Sequence, residues 1–147
     1  MKPLFSAVIC MSCAASSAFA DLVFSEYVEG SGYNKAIELL NTDSEAVDLS
    51  QYSIELYSNG NTTVQSRLAL SGSLPAGANY VIANSQAGSA IQAVANIQSP
   101  VTSFNGDDVL LLKNGSTVVD RLGQLGSKQV YGKDKTLVRL ATVTTGD

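Results

Sequence analysis

Two adjacent carboxylates, Asp107 and Asp108, stand in the stretch SFNGDDVLLLK and are the first residues whose chemistry needs a decision. Paired acids can hold a divalent cation or work as acid and base. Calcium, however, needs several oxygens converging on one point, as in a loop with acids at alternate positions. Adjacent residues of an extended chain point to opposite sides. Asp and Asn also cap local backbone N–H groups in turns. The pair is therefore read as turn residues that start a strand, with a weak cation contact as the alternative. A second acid, Glu26, lies in LVFSEYV, where period-two alternation puts it on the face of Leu22, Phe24 and Val28. A carboxylate on an apolar face is costly unless it is hydrogen-bonded or paired. Glu26 is expected to accept backbone N–H bonds or to face solvent at an edge. The functional alternative pairs it with Glu38.

Two further groups deserve a reading. EGSGYNK is rich in glycine, but it joins strand to strand, and a phosphate cradle needs a helix to follow. It is expected to be a flexible hairpin loop, with Glu29, Tyr33, Asn34 and Lys35 as its possible recognition groups. Lys128, Lys133, Lys135 and Arg139 form the one local basic cluster. Solvated strand ends and edge protection account for it, with a nucleic-acid or polyanion contact as the alternative.

Composition narrows the chemistry. The chain has 147 residues, no His and no Trp, and a net charge of −4. Without His there is no Ser-His or Cys-His nucleophile and no commonest zinc ligand. A chain built to neutralise phosphates should be basic, and this one is acidic. Charged residues make up 15% and hydrophobic ones 45%, a balance that can bury a core in one domain. No catalytic, cofactor-binding or metal-binding residue is assigned.

The elements that must position these side chains are short and extended. Strands are predicted over Leu22–Val28, Lys35–Asn41, Ser53–Tyr57, Thr63–Leu70, Asn79–Ser85, Val109–Lys113, Thr117–Gly123 and Thr136–Leu140. Asn114-Gly115 between two apolar runs is the clearest hairpin signal. Only SQAGSAIQAVANI has helical character. Turns every 8 to 12 residues and no strand–helix alternation predict an all-β sandwich.

The N-terminus, MKPLFSAVICMSCAASSAFADLVF, has a positive start, an apolar stretch too short to span a bilayer, and Ala18-Phe19-Ala20 before Asp21. It is read as a secretory signal peptide, residues 1–20, leaving a domain of residues 21–147. Both cysteines, Cys10 and Cys13, fall in this leader, so the exported chain is expected to hold its fold without a disulfide.

Four ordered segments carry a family resemblance. FSEYVEGSGYNKAIELLN, VDLSQYSIELYSNG, LPAGANYVIANS and FNGDDVLLLKNGSTVVDRLGQLG, followed by KTLVR, resemble the bacterial lamin-tail domain family. The resemblance implies an immunoglobulin-like β-sandwich without catalytic activity of its own, and an interaction role. Such domains commonly lie near the N-terminus of exported proteins, extracellular nucleases among them. Family members usually run on into a further strand that often carries Trp, so the last strand is expected to be missing and a sheet edge open. The expected function is a non-catalytic, exported interaction module, periplasmic or extracellular, that binds a protein or an extracellular polymer and can self-associate through its open edge. The alternative is the substrate-positioning domain of a secreted nuclease, with DNA as a weak partner.

Overall fold

The computed structural model describes residues 22–147, so the expected signal peptide lies outside the described residues. The strands are β1 (Leu22–Glu29), β2 (Lys35–Asn41), β3 (Val47–Asp48), β4 (Tyr52–Tyr57), β5 (Ser66–Ala69), β6 (Ser73–Leu74) and β7 (Asn79–Ala83). A single helical turn, α1 (Ser89–Gln92), precedes β8 (Ile97–Gln98), β9 (Val109–Asn114), β10 (Thr117–Leu122) and β11 (Thr136–Val138). All eight segments expected from the sequence are present. Thr63–Leu70 is shortened to β5, and the helical stretch yields only α1 before β8 pairs in parallel with β7.

Two sheets face each other, one in the order β11-β1-β2-β7-β8 and one in the order β10-β9-β4-β5, with β3-β6 as a separate ribbon. This is a β-sandwich, consistent with the immunoglobulin-like arrangement. Inward residues of both sheets meet in one core that includes Leu22, Phe24, Tyr27, Ile37, Leu39 and Ile82 from the first sheet. Ile54, Leu56, Leu110 and Leu112 come from the second. Each such side chain, fully buried, stabilises the fold by roughly 1.5–3 kcal/mol relative to exposure. The β9–β10 hairpin closes through Gly115-Ser116, with Gly115 at φ +57, the left-handed conformation that a tight hairpin requires.

Two β-bulges reset the side-chain phase. In β1 the register shifts between Phe24 and Glu26, so Ser25 is an extra residue. An extra residue turns every later side chain to the opposite face. Leu22 and Phe24 point into the core, and after the bulge Tyr27 and Glu29 do so. Glu26 and Val28 are thereby on the outer face, which corrects the placement of Glu26 with Leu22 and Phe24. Nor is Glu26 on an edge, since β1 lies between β11 and β2. A second bulge between Val118 and Asp120 turns Asp120 inward in β10.

Candidate functional site

Asp108 is 1% exposed and lies where three loops meet. Its Oδ1 accepts the Asn59 N–H at 2.8 Å and its Oδ2 the Asn105 N–H at 2.7 Å, while its carbonyl accepts the Tyr131 hydroxyl at 2.6 Å. The turn reading holds, and the burial adds to it. Both carboxylate oxygens are engaged by backbone donors from different parts of the chain. Asp107 lies in the turn beside it and is partly exposed, so the two neighbours differ in burial. Among the described residues no three His, Cys, Asp or Glu side chains cluster as metal ligands do.

The glycine loop divides in a way the sequence did not reveal. Glu29 and Lys35 pair across the β1–β2 ladder, Nζ to Oε1 at 3.4 Å, and both are largely buried. Lys35 Nζ also donates to the Phe104 carbonyl at 2.5 Å and to Asn105 Oδ1 at 3.2 Å. Glu29 Oε2 accepts the Asp134 N–H at 2.7 Å. These two residues are therefore internal braces and not recognition groups. Their charges are compensated by each other and by backbone dipoles, as burial demands. Asn34 Oδ1 accepts the Gly88 N–H at 2.8 Å and pins the loop to the segment before α1. Only Tyr33 of the four stands out, 56% exposed. Nearby, a Cβ on Gly106 would lie 2.0 Å from the Lys133 backbone nitrogen, so glycine alone permits this approach of two loops.

The basic cluster is likewise divided. Arg139 bonds to Asp120, Nη2 to Oδ2 at 2.5 Å, and Asp120 is 0% exposed. The same Oδ2 accepts the Phe24 N–H at the β1 bulge at 2.7 Å, and Arg139 Nε donates to the Phe24 carbonyl at 2.7 Å. One buried ion pair thus ties β10 of one sheet to the bulge of the other. Lys128, Lys133 and Lys135 remain exposed. Asp120 was not singled out in the sequence. The available signal was a lone acid inside the strand pattern TVVDRL, and only the bulge determines that it faces inward. Glu55, a second lone acid inside a strand, has no bulge beside it, and only its neighbours across the sheet show that it is buried. It is buried on the outer face of β4, accepting the Tyr57 hydroxyl at 2.6 Å and pairing with Lys113 at 3.3 Å.

Glu26 and Glu38 are brought together. They are register partners across β1 and β2, both on the outer face. Ser25 Oγ donates to Glu38 Oε1 at 2.7 Å. A shallow groove of about 240 Å³ runs beside them, floored by Val28, Ala36, Val81 and Ile91. Asp107 and Asp108 belong to the loop before β9, so the four acids do not converge.

Three tyrosines complete the electrostatics. Burial pushes the Tyr57 phenol up to about 12, with the Glu55 carboxylate adding to the shift. Burial also raises Tyr27, helped by Tyr131 and Glu29, and raises Tyr131, helped by Asp108. The Tyr27 ring stacks on Phe104 with centroids 4.5 Å apart and is tilted against Tyr131 at 5.9 Å. Each phenol stays neutral and structural through the physiological range.

With the sandwich and its internal carboxylates in place, comparison with known families is decisive. The lamin tail domain model matches residues 15–126. The chain belongs to the lamin tail domain family. No curated protein matches it. Membership agrees with a non-catalytic domain whose acids hold loops and sheets together. β11 and Arg139, which complete one sheet edge of this lamin tail domain, lie beyond the matched stretch. Among the described residues no helix is long and apolar enough to cross a membrane.

Proposed function

We propose that this lamin tail domain is an exported interaction module that receives an extended segment of a partner protein along the edge of β11. The observation that carries the reading is the state of that edge. Glu29 N donates to Lys135 O at 2.9 Å and Arg139 N to Ser25 O at 2.8 Å, so the odd-numbered residues of this stretch direct their main chain toward β1. Antiparallel alternation then turns the N–H and C=O groups of Thr136 and Val138 away from it. Among the described residues β11 is the last strand of its sheet, and Val138 and Leu140 are 69% and 72% exposed. Unpaired main chain beside exposed apolar side chains is what strand addition uses. The burial of Arg139 on Asp120 divides the basic cluster and favours a protein partner over DNA. Export rests on the leader-like N-terminus, and the intact mass of the protein recovered from periplasm and medium tests it.

The nearest stand-in for a partner strand is a second copy of the same edge. Sedimentation equilibrium at rising concentration should show reversible dimerisation that Val138→Pro abolishes. Proline at 138 removes only an outward N–H, so the variant should keep its fold. Leu137→Pro removes an inward ladder bond and should lower stability by about 1–3 kcal/mol. A monomer at every concentration, with slow amide exchange at both Thr136 and Val138 showing that the edge is already covered, overturns the reading.

A further inference from the structure

A polar cavity of about 290 Å³ opens where the β1–β2 loop meets the segments after β7 and β8. Its wall contains Tyr33, Asn84, Gln98 and Ser103, and none of its lining residues is charged. Asn84 is only 5% exposed. Its Oδ1 accepts the Gln86 N–H at 3.0 Å, which fixes the amide orientation and leaves Nδ2 as the free end. Nδ2 meets no protein acceptor among the described residues. Gln98 is oriented the opposite way. Its Nε2 donates to Gln92 Oε1 at 2.7 Å, which leaves Gln98 Oε1 as an acceptor. Gln92 is itself held by donation to the Asn84 carbonyl at 2.6 Å. Tyr33 presents its ring at the mouth, on a loop anchored through Asn34 to Gly88.

We infer that this cavity is a binding site for a neutral saccharide unit, separate from the β11 edge. A sugar hydroxyl both donates and accepts, which suits a wall offering one fixed amide donor and one fixed amide acceptor. The apolar face of a pyranose ring packs on an exposed aromatic ring such as Tyr33. The lack of any cation in the wall argues against a phosphate, sulfate or uronic acid, since an anion left unpaired there would lose its hydration without compensation. What distinguishes this cavity from an ordinary surface hollow is a nearly buried side chain, Asn84, that is held at Oδ1 and turns its free Nδ2 to the cavity.

The test is a titration of the whole exported chain with neutral hexasaccharides of glucose, N-acetylglucosamine, xylose and mannose, followed by amide chemical shifts. At least one should bind with Kd below about 10 mM and shift Tyr33, Ser85 and Gln98. Tyr33→Ala should weaken binding about tenfold. Asn84→Asp keeps the acceptor that holds Gln86 but removes the donor, and it should weaken binding similarly while the protein stays folded. If Asn84→Asp unfolds the chain, Tyr33→Ala alone decides. Absence of binding across the panel overturns the inference. So does binding unchanged in Tyr33→Ala, or tighter binding of polygalacturonate than of every neutral sugar. Each of these outcomes leaves the β11 reading untouched, because Val138→Pro tests that reading separately.

Discussion

Two polar regions of this domain look alike in composition and differ in what their groups face. Around Asp108, Asp120 and the Glu29–Lys35 pair, polar atoms are buried and engaged, and each carboxylate holds backbone from a distant part of the chain. Around Asn84 and Gln98, each amide is engaged at one end only, and the other end faces a cavity. The contrast separates architecture from recognition better than residue type does. Acids drew attention in the sequence because acids can do chemistry, yet here they brace the sandwich. The groups left available to the cavity include neutral amides and one tyrosine.

The comparison can be broken most directly at Asp120. Replacing it by Ala leaves the Phe24 N–H without its acceptor and the Arg139 guanidinium without its carboxylate partner. Denaturant melts should show a loss of about 3–5 kcal/mol. A loss below about 1 kcal/mol would mean that this carboxylate is not a brace. Asp108→Ala comes next, since it leaves the N–H groups of Asn59 and Asn105 unpaired, and about 3 kcal/mol is expected. Addition of calcium should leave the melting temperature of the parent protein unchanged, because both Asp108 oxygens already accept hydrogen bonds.

Alkali gives a smaller and graded effect. Tyr57 is raised from its ordinary value of 10.0 to about 12, and Tyr27 and Tyr131 are raised also. The folded state therefore holds these protons where the unfolded chain releases them. The stabilisation is complete below pH 10 and is lost as pH climbs from there through about 12. Tyrosinate absorbance followed together with unfolding should show the two transitions coinciding. Free ionisation of all tyrosines in a protein that stays folded would contradict the burial argument. The smallest effect sharpens the contrast from the other side. Tyr33→Ala should alter stability by less than about 0.5 kcal/mol, as an exposed side chain away from the core does.

Much of the fold was legible because alternation and turn chemistry are local. VLLLK-NGS-TVVDRL gave a hairpin, and NYVIA and KAIELLN gave strands, without knowledge of their neighbours. The placement of Glu26 was not legible. A simple period of two, carried through Ser25, puts it with Phe24. The bulge at Ser25 arises from how β1 meets β2 and from Asp120 reaching across to Phe24 N, partners more than ten residues away in the chain. The glycine loop shows the same limit. Its residues suggested recognition, and the ladder buried Glu29 and Lys35 together while leaving Tyr33 outside.

The sequence by itself determined the strand segments, the turns, the absence of histidine chemistry and the family, since these depend on residue identity and short spacing. The tertiary structure alone decided which polar groups are partnered. That property depends on two side chains or loops meeting in space. Asp120 with Arg139, Asp108 with Asn59, and Asn84 left with a free amide are all outcomes of such meetings.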